Sequence, residues 1–242
     1  MSSRSHLAPA GTRIYAIGDI HGRCDLLREL HRAVADDLLN CTAARRVMVY
    51  VGDYIDRGAD SKSVIELILS RPLAGFETVC LAGNHEAMML AFLDDVAVAA
   101  QWFSNGGSET LSSYGIDPSA ALRGGGGAAE MQRDLARDLP AAHLAFLQGL
   151  LPYHVEGDYI FVHAGILPGR PLAEQAHADL IWIREEFLFS DADHGGCVVH
   201  GHTQVREAEI HPNRIAIDTG AYRSGRLTCV VLDGDGQRFL HT

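Results

Sequence analysis

The chain is short of cysteine, of basic charge and of long apolar runs, and each shortage excludes something. Its five cysteines, Cys24, Cys41, Cys80, Cys197 and Cys229, are odd in number, widely spaced and never in a Cys-x-x-Cys pair. That pattern argues against a zinc ribbon and against a secreted disulfide scaffold. Cys80, Cys197 and Cys229 lie in apolar runs, where cysteine ordinarily serves as a small buried hydrophobe. Lysine and arginine total 20 against 31 aspartates and glutamates, a net charge of −11. A general nucleic-acid binder needs basic surface to displace counterions, so that class is disfavoured. No uninterrupted apolar stretch is long enough to span a bilayer, and the opening "MSSRSHLAPAGTR" lacks the apolar core of a signal peptide. No internal repeat is visible. The expectation is a reduced, cytoplasmic protein without membrane or nucleic-acid partners, whose attraction for an anionic substrate must be local.

What is present is a large apolar fraction, 47% of 242 residues, enough to bury a core without disulfides. Short β-branched runs ending in glycine or polar residues recur at 13–19, 45–53, 78–84, 159–165, 197–202, 214–220 and 227–233, with the length and composition of buried strands. Helical spacing fills 24–39 and 60–70. Strand and helix alternate first and strands run together later, which predicts an α/β body whose second half is partly antiparallel. Residues 86–150 are Ala- and Leu-rich, interrupted by "WFSNGGSETLSSYG" and by four glycines at 124–127; they read as a helical insertion with a flexible loop. Chemistry-bearing residues scatter from 18 to 203, so a single domain over 1–242 is expected, because one body must bring them together.

The polar residues closing the strand-like runs form a set: Asp19 and His21 in "GDIHG", Asp53, Asp56 and Arg57 in "GDYIDRG", Asn84 and His85 in "GNHE", His163 in "HAG", His200 and His202 in "HGHT". Each piece alone has an ordinary reading as a turn residue, a helix cap or a core histidine. Five pieces at the ends of five runs point instead to one site, since the carboxyl ends of strands face the ligand crevice in open α/β sheets. Clustered carboxylates repel unless positive charge lies between them. Mixed carboxylate and imidazole donors suit divalent transition ions, and thirteen histidines hint the same way. Glycine and aspartate disfavour strands; at these ends glycine is expected to turn the backbone and aspartate to offer oxygen to an ion.

These motifs, in this order and spacing, resemble the calcineurin-like metallophosphoesterases. The fused "GDYIDRG" and the "GNHE" are similar to the PPP serine/threonine phosphatase branch, and the short length and "LIWIREEF" (180–187) to its bacterial and lambda-phage members. The resemblance covers roughly residues 13–233. It implies a four-layer sandwich of two mixed β-sheets flanked by helices, with two metal ions at one sheet edge. Asp19 and His21 would bind the first ion, Asp53 would bridge both, and Asn84, His163 and His202 would bind the second. His85 would protonate the leaving alkoxide, Asp56 would hydrogen-bond its imidazole, and Arg57 and Arg184 would hold phosphate oxygens. Arg184 has a rival reading as a surface ion pair with a neighbouring glutamate. Asn105 resembles a pocket-lining loop of bacterial relatives or is a simple turn, and Tyr222 borders the site or caps a turn between strands. Arg223 and Arg226 read as solvated surface. His200, two residues before His202, points the other way on an extended segment and reads as a packing residue.

A hydroxide shared by two ions would attack phosphorus directly, in keeping with the lack of a Cys-x5-Arg loop. The ions implied are two divalent metals, manganese first, with iron, zinc or nickel as alternatives. The activity implied is a phosphomonoesterase acting on phosphoserine or phosphothreonine in proteins, or on a small phosphoester. A symmetrical diadenosine tetraphosphate hydrolase is the second reading, and a catalytically silent phosphoprotein-binding module the third.

Overall fold

The computed structural model of the chain describes residues 6–70 and 73–242, so the first five residues of the N-terminal stretch lie outside the described residues. In chain order, β1 (Thr12–Ile17), α1 (Cys24–Asp37), β2 (Arg45–Tyr50), α2 (Ser61–Leu69) and β3 (Glu77–Cys80) alternate. Helices follow: α3 (Asn84–Asp94), α4 (Ala99–Ser104), α5 (Gly107–Ser113), α6 (Pro118–Arg123), α7 (Gly127–Asp138) and α8 (Ala141–Gln148). Then come β4 (Tyr153–Glu156), β5 (Tyr159–Val162), α9 (His177–Trp182), α10 (Glu185–Leu188), β6 (Cys197–His200), β7 (Glu209–Ile210), β8 (Arg214–Ala216), α11 (Ala221–Ser224), β9 (Thr228–Asp233) and β10 (Gly236–His241).

The strands form two mixed sheets, ordered β10-β9-β1-β2-β3 and β4-β5-β6-β8-β7. In the first, β1 and β2 run parallel with Ile14 beside Val47 and Ala16 beside Val49, and β9 returns antiparallel to β1. In the second, β5, β6 and β8 are parallel neighbours. Alternation along each strand sorts the side chains. Ile14, Ala16, Val47, Val49, Val230 and Leu232 meet Tyr159, Phe161, Val199 and Ile215 in one apolar cluster between the sheets. The opposite face of the first sheet, with Tyr15, Ile17 and Met48, packs on Leu27 and Leu30 of α1 and Val64 and Ile65 of α2. That of the second, Ile160, Val162 and Val198, packs on Leu180 and Ile181 of α9 and Phe187 of α10. Four layers result. Central strands are buried on both sides, which is why they read as unbroken apolar runs.

Three strands were not anticipated: β4, β7 and β10. All three lie at sheet edges, where one side meets solvent and no continuous apolar run is required. The four glycines at 124–127 form a short link where a loop was expected, Gly124 ending α6 and Gly127 opening α7. Cys80 is half-buried, and Cys24, Cys197 and Cys229 are buried. Met88, Met89, Phe92, Trp102, Leu111 and Leu135 of the helical stretch belong to the same cluster as α1 and α2. Among the described residues no helix is long and apolar enough to cross a membrane.

Phe161, fully buried between the sheets, tests this packing. Phe161→Ala should cost about 3–5 kcal/mol in urea unfolding, whereas Leu39→Ala, on a side chain 83% exposed, should stay within about 0.5 kcal/mol.

Candidate metal centre

The buried carboxylate of Asp53, just beyond the end of β2, stands at the middle of the site. Its Oδ2 lies 3.6 Å from His21 Nε2 and 3.7 Å from His85 Nε2, and its Oδ1 lies 3.4 Å from His163 Nε2. Two sets of possible ligands share it, His21–Asp53–His85 and Asp53–His163–His202, each with donor atoms within 4.8 Å of one another. Asn84, the first residue of α3, joins the second set through Oδ1, 3.0 Å from His163 Nε2 and 2.9 Å from His202 Nδ1. Every one of these residues is buried.

Hydrogen bonding fixes which nitrogens face inward. His21 Nδ1 is 2.9 Å from the Ile55 carbonyl and His163 Nδ1 is 2.9 Å from that of Val51. A carbonyl only accepts, so both Nδ1 atoms carry the proton and both Nε2 atoms aim lone pairs inward. Burial, the largest influence, lowers the imidazole of His163, brings His21 down to about 3 and His202 to about 2. These rings are neutral at pH 7. Burial raises the Asp53 carboxyl, but the surrounding imidazoles outweigh it and hold the group below the ordinary carboxylate range; of these, His85 is the one whose own pKa moves up. Carboxylate oxygens, an amide oxygen and imidazole lone pairs thus converge without enough protons between them. Arg57 answers one, its Nη1 lying 3.0 Å from His21 Nε2. The donor set fits divalent cations, which accept from nitrogen and oxygen together, and the backbone carbonyls behind His21 and His163 are the kind of partner that orients metal-binding imidazoles.

The backbone is strained here and nowhere else among the described non-glycine residues. Those with left-handed φ are His21 (46°), Asp53 (51°), Asp56 (71°), Arg57 (65°) and His202 (60°), all in the predicted set. Such conformations cost about 1–3 kcal/mol each and persist where surrounding structure enforces them. The glycines do more than turn the chain, as the sequence suggested. A Cβ on Gly201 would collide with Asp19 Oδ1, and one on Gly83 with Asp53 Oδ1, so these positions are bare because a site carboxylate lies directly against the backbone.

Beside the metal residues sits a proton-handling pair. Asp56 Oδ2 accepts from His85 Nδ1 at 2.7 Å and from Trp102 Nε1 at 2.9 Å, and Asp56 Oδ1 accepts from Thr110 Oγ1 at 2.6 Å. Burial raises the Asp56 carboxyl, yet every one of these approaches is a donor, so the group serves as an ionised acceptor. Burial pulls the His85 imidazole down, but Asp53 and the Asp56 bond together raise it. Its Nε2 is buried and has no hydrogen-bond partner.

Asp19 falls outside both tight sets, and His85 lies in the first beside His21 and Asp53. The oxygens of Asp19 accept from the His202 amide at 3.2 and 3.0 Å, which keeps it at the site between the two sheets. Arg184 donates from Nη1 to Thr203 Oγ1 at 3.2 Å and makes no ion pair among the described residues, against the glutamate pairing weighed for it. It lines a cavity of about 520 Å³ with Trp182, Glu185 and Glu186. Arg57, Asn105 and Tyr222 line another of about 530 Å³. Tyr222 packs on His21 with centroids 5.5 Å apart, and Arg57 Cζ is 5.1 Å from its ring centre. Asn105 Nδ2 donates to the Gln101 carbonyl. His200 packs on Phe187, centroids 5.1 Å apart, and Arg223 and Arg226 are exposed.

Four residues of the site escaped sequence reasoning. Glu86 accepts from the amides of Asp53, Tyr54, Ile55 and Gly83 at 2.8–3.3 Å. The signal for it was its place at the third position of a helix after Gly83, where glutamate reaches back to the cap. Trp102 and Thr110 carry no local signal. Asp218 ends a strand-like run just as Asp19 and Asp53 do. Removing metal with a chelator should lower the melting temperature of the as-purified protein, since an ion that binds only the folded state at 100 times its Kd stabilises it by about 2.7 kcal/mol; equal melting with and without chelator would count against the centre.

Comparison with known proteins gives a consistent picture. Over 237 residues the chain is 28% identical to "Serine/threonine-protein phosphatase 1" of Salmonella typhimurium, covering 89% of each. It is also 28% identical over 226 residues to the asymmetrical bis(5'-nucleosyl)-tetraphosphatase PrpE of Bacillus thuringiensis, covering 88% of each. A solved structure provisionally described as a diadenosine tetraphosphatase shares the fold with a TM-score of 0.64 at 21% identity, covering 98% of both chains. The family model for calcineurin-like phosphoesterases matches residues 12–230, a span that holds every residue of the centre. The chain belongs to the calcineurin-like phosphoesterase family and is a metallophosphoesterase.

Proposed function

We propose that the chain is a cytoplasmic, metal-dependent phosphomonoesterase that hydrolyses phosphoserine or phosphothreonine in proteins, with His85 as general acid. The observation carrying this reading is the His85–Asp56 pair: an imidazole anchored at Nδ1, its buried Nε2 unpartnered beside Asp53. Asp19 and His21 would hold a first divalent ion, Asp53 both ions, and Asn84, His163 and His202 the second, manganese suiting such mixed oxygen and nitrogen donors. Ions bound there would neutralise phosphoryl oxygens and lower the pKa of a water so that it attacks phosphorus at neutral pH. Arg57 on the His21 side and Arg184 on the His202 side would each present a planar fork of donors to the phosphoryl oxygens. As the ester bond breaks, the leaving oxygen takes the proton from His85 Nε2 while Asp56 keeps the ring in place. In this reading the chain is one domain, and residues 86–150 are an insertion that seats Asp56 through Trp102 and Thr110.

Dinucleoside tetraphosphate hydrolysis is the second reading. It is favoured by the tetraphosphatase relative at the same 28% identity and by an aromatic side chain in each flanking cavity, Trp182 and Tyr222. The silent binding module has no comparable support in an enzyme family with acid and arginines in place.

Metal-stripped protein given manganese should release phosphate from a phosphoserine peptide faster than it releases nucleotide from diadenosine tetraphosphate. ADP, or AMP with ATP, as the main product would replace the first reading with the second. His85→Asn should lose about 10²–10⁴ in turnover on the peptide and far less on p-nitrophenyl phosphate, whose leaving group needs no proton; equal losses would remove His85 from the acid role. Asp56→Asn takes away charge that favours protonated His85, so the alkaline limb of the kcat–pH profile should move to lower pH, and an unmoved limb would contradict the pairing.

A further inference from the structure

The carboxylate of Asp218 has no task in the scheme above, yet it is 1% exposed and beside the metal residues. It follows β8 through Ile217. The turn of β1 into Gly18 lies so close to this segment that a Cβ on Gly18 would collide with the Ile217 carbonyl oxygen. The next residue of each run is an aspartate, so Asp19 from the first sheet and Asp218 from the second leave adjoining backbones, and both side chains are buried. Asp218 Oδ1 accepts from the Gly220 amide at 2.8 Å. Its Oδ2 is buried with no hydrogen-bond partner, and Asp218 forms no ion pair with a lysine or arginine among the described residues.

A buried carboxylate oxygen without a donor is costly, and neighbouring carboxylates repel. Both conditions are relieved at once by a cation on the Asp19–Asp53 side. We propose that Asp218 faces the first ion through Oδ2, a third carboxylate beside Asp19 and Asp53, making that half of the centre oxygen-rich where the half built from Asn84, His163 and His202 is nitrogen-rich. The inference rests on the two-ion reading given above. Its consequence is selectivity: carboxylate-rich sites suit manganese, and imidazole-rich sites also suit zinc. Asp218 is a positioning residue in this account, acting on the ion and not on the substrate.

Calorimetric titration of manganese into stripped wild-type, Asp218→Asn and Asp218→Glu chains tests it. Wild type should take up two ions. Asp218→Asn should bind one of them about 10–100-fold more weakly with the other unchanged, and zinc should lose less than manganese. Without metal, Asp218→Asn should melt no lower than wild type, because the amide donates to Asp19 where a carboxylate repelled it, while the rise on adding manganese shrinks. Asp218→Glu, which keeps the charge, should recover part of the affinity and guards against misreading a folding defect of the first variant. Two manganese ions bound by Asp218→Asn with wild-type affinities would overturn the proposal, as would a metal-free melting point that falls while the manganese-induced rise is intact. A wild-type chain that binds a single manganese ion or none would overturn the two-ion reading itself and this inference with it.

Discussion

The convergence of lone pairs on one buried carboxylate governs this structure. Asp53 lies between the His21 and His163 imidazoles, whose protons are committed outward to backbone carbonyls, and near Asn84, whose oxygen is turned to the His163 and His202 rings. Burial keeps the His21, His163 and His202 rings neutral at pH 7. The resulting demand for positive charge sets the rest: which glycines are bare, which residues accept left-handed backbone, and why the two sheets bring their strand ends to one place.

Holding such an arrangement without metal needs support from outside it. The Glu86 carboxylate ties four amides together at the start of α3, fixing the Asp53–Ile55 turn against Gly83. The helical stretch from α3 to α8 shares the core of α1 and α2 and sends Trp102 and Thr110 down to Asp56. Asp56 in turn orients His85. A chain of hydrogen bonds, with Asp56 the shared acceptor, thus leads from the helical stretch to the imidazole of His85.

Much of this was legible in the sequence because its physics is local. Central strands covered on both faces must be apolar runs, so the polar residues closing them, Asp19, His21, Asp53, Asp56, Asn84, His85, His163, His200 and His202, stood out together, and the family resemblance singled out the candidate ligands among them. Edge strands such as β10 obey no such rule and were passed over. Trp102 and Thr110 act on Asp56 across 46 and 54 positions of sequence, a distance no motif encodes. Asp218 was passed over for a different reason: its neighbour Asp19 is assigned by a motif, while its own partner comes from the other sheet.

The chain carries a net charge of −11, so in the proposed reading a phosphorylated substrate would be drawn by what lies in the site: Arg57, Arg184 and the ions. The central claim is that the donors around Asp53 exist to hold two cations. Anomalous diffraction at the manganese edge, from crystals of the stripped protein soaked in manganese, tests it most directly. Two peaks about 3.5–4 Å apart, flanking the Asp53 carboxylate, are the result the account predicts. No peak at Asp53, or a single one touching only the histidines, would contradict it.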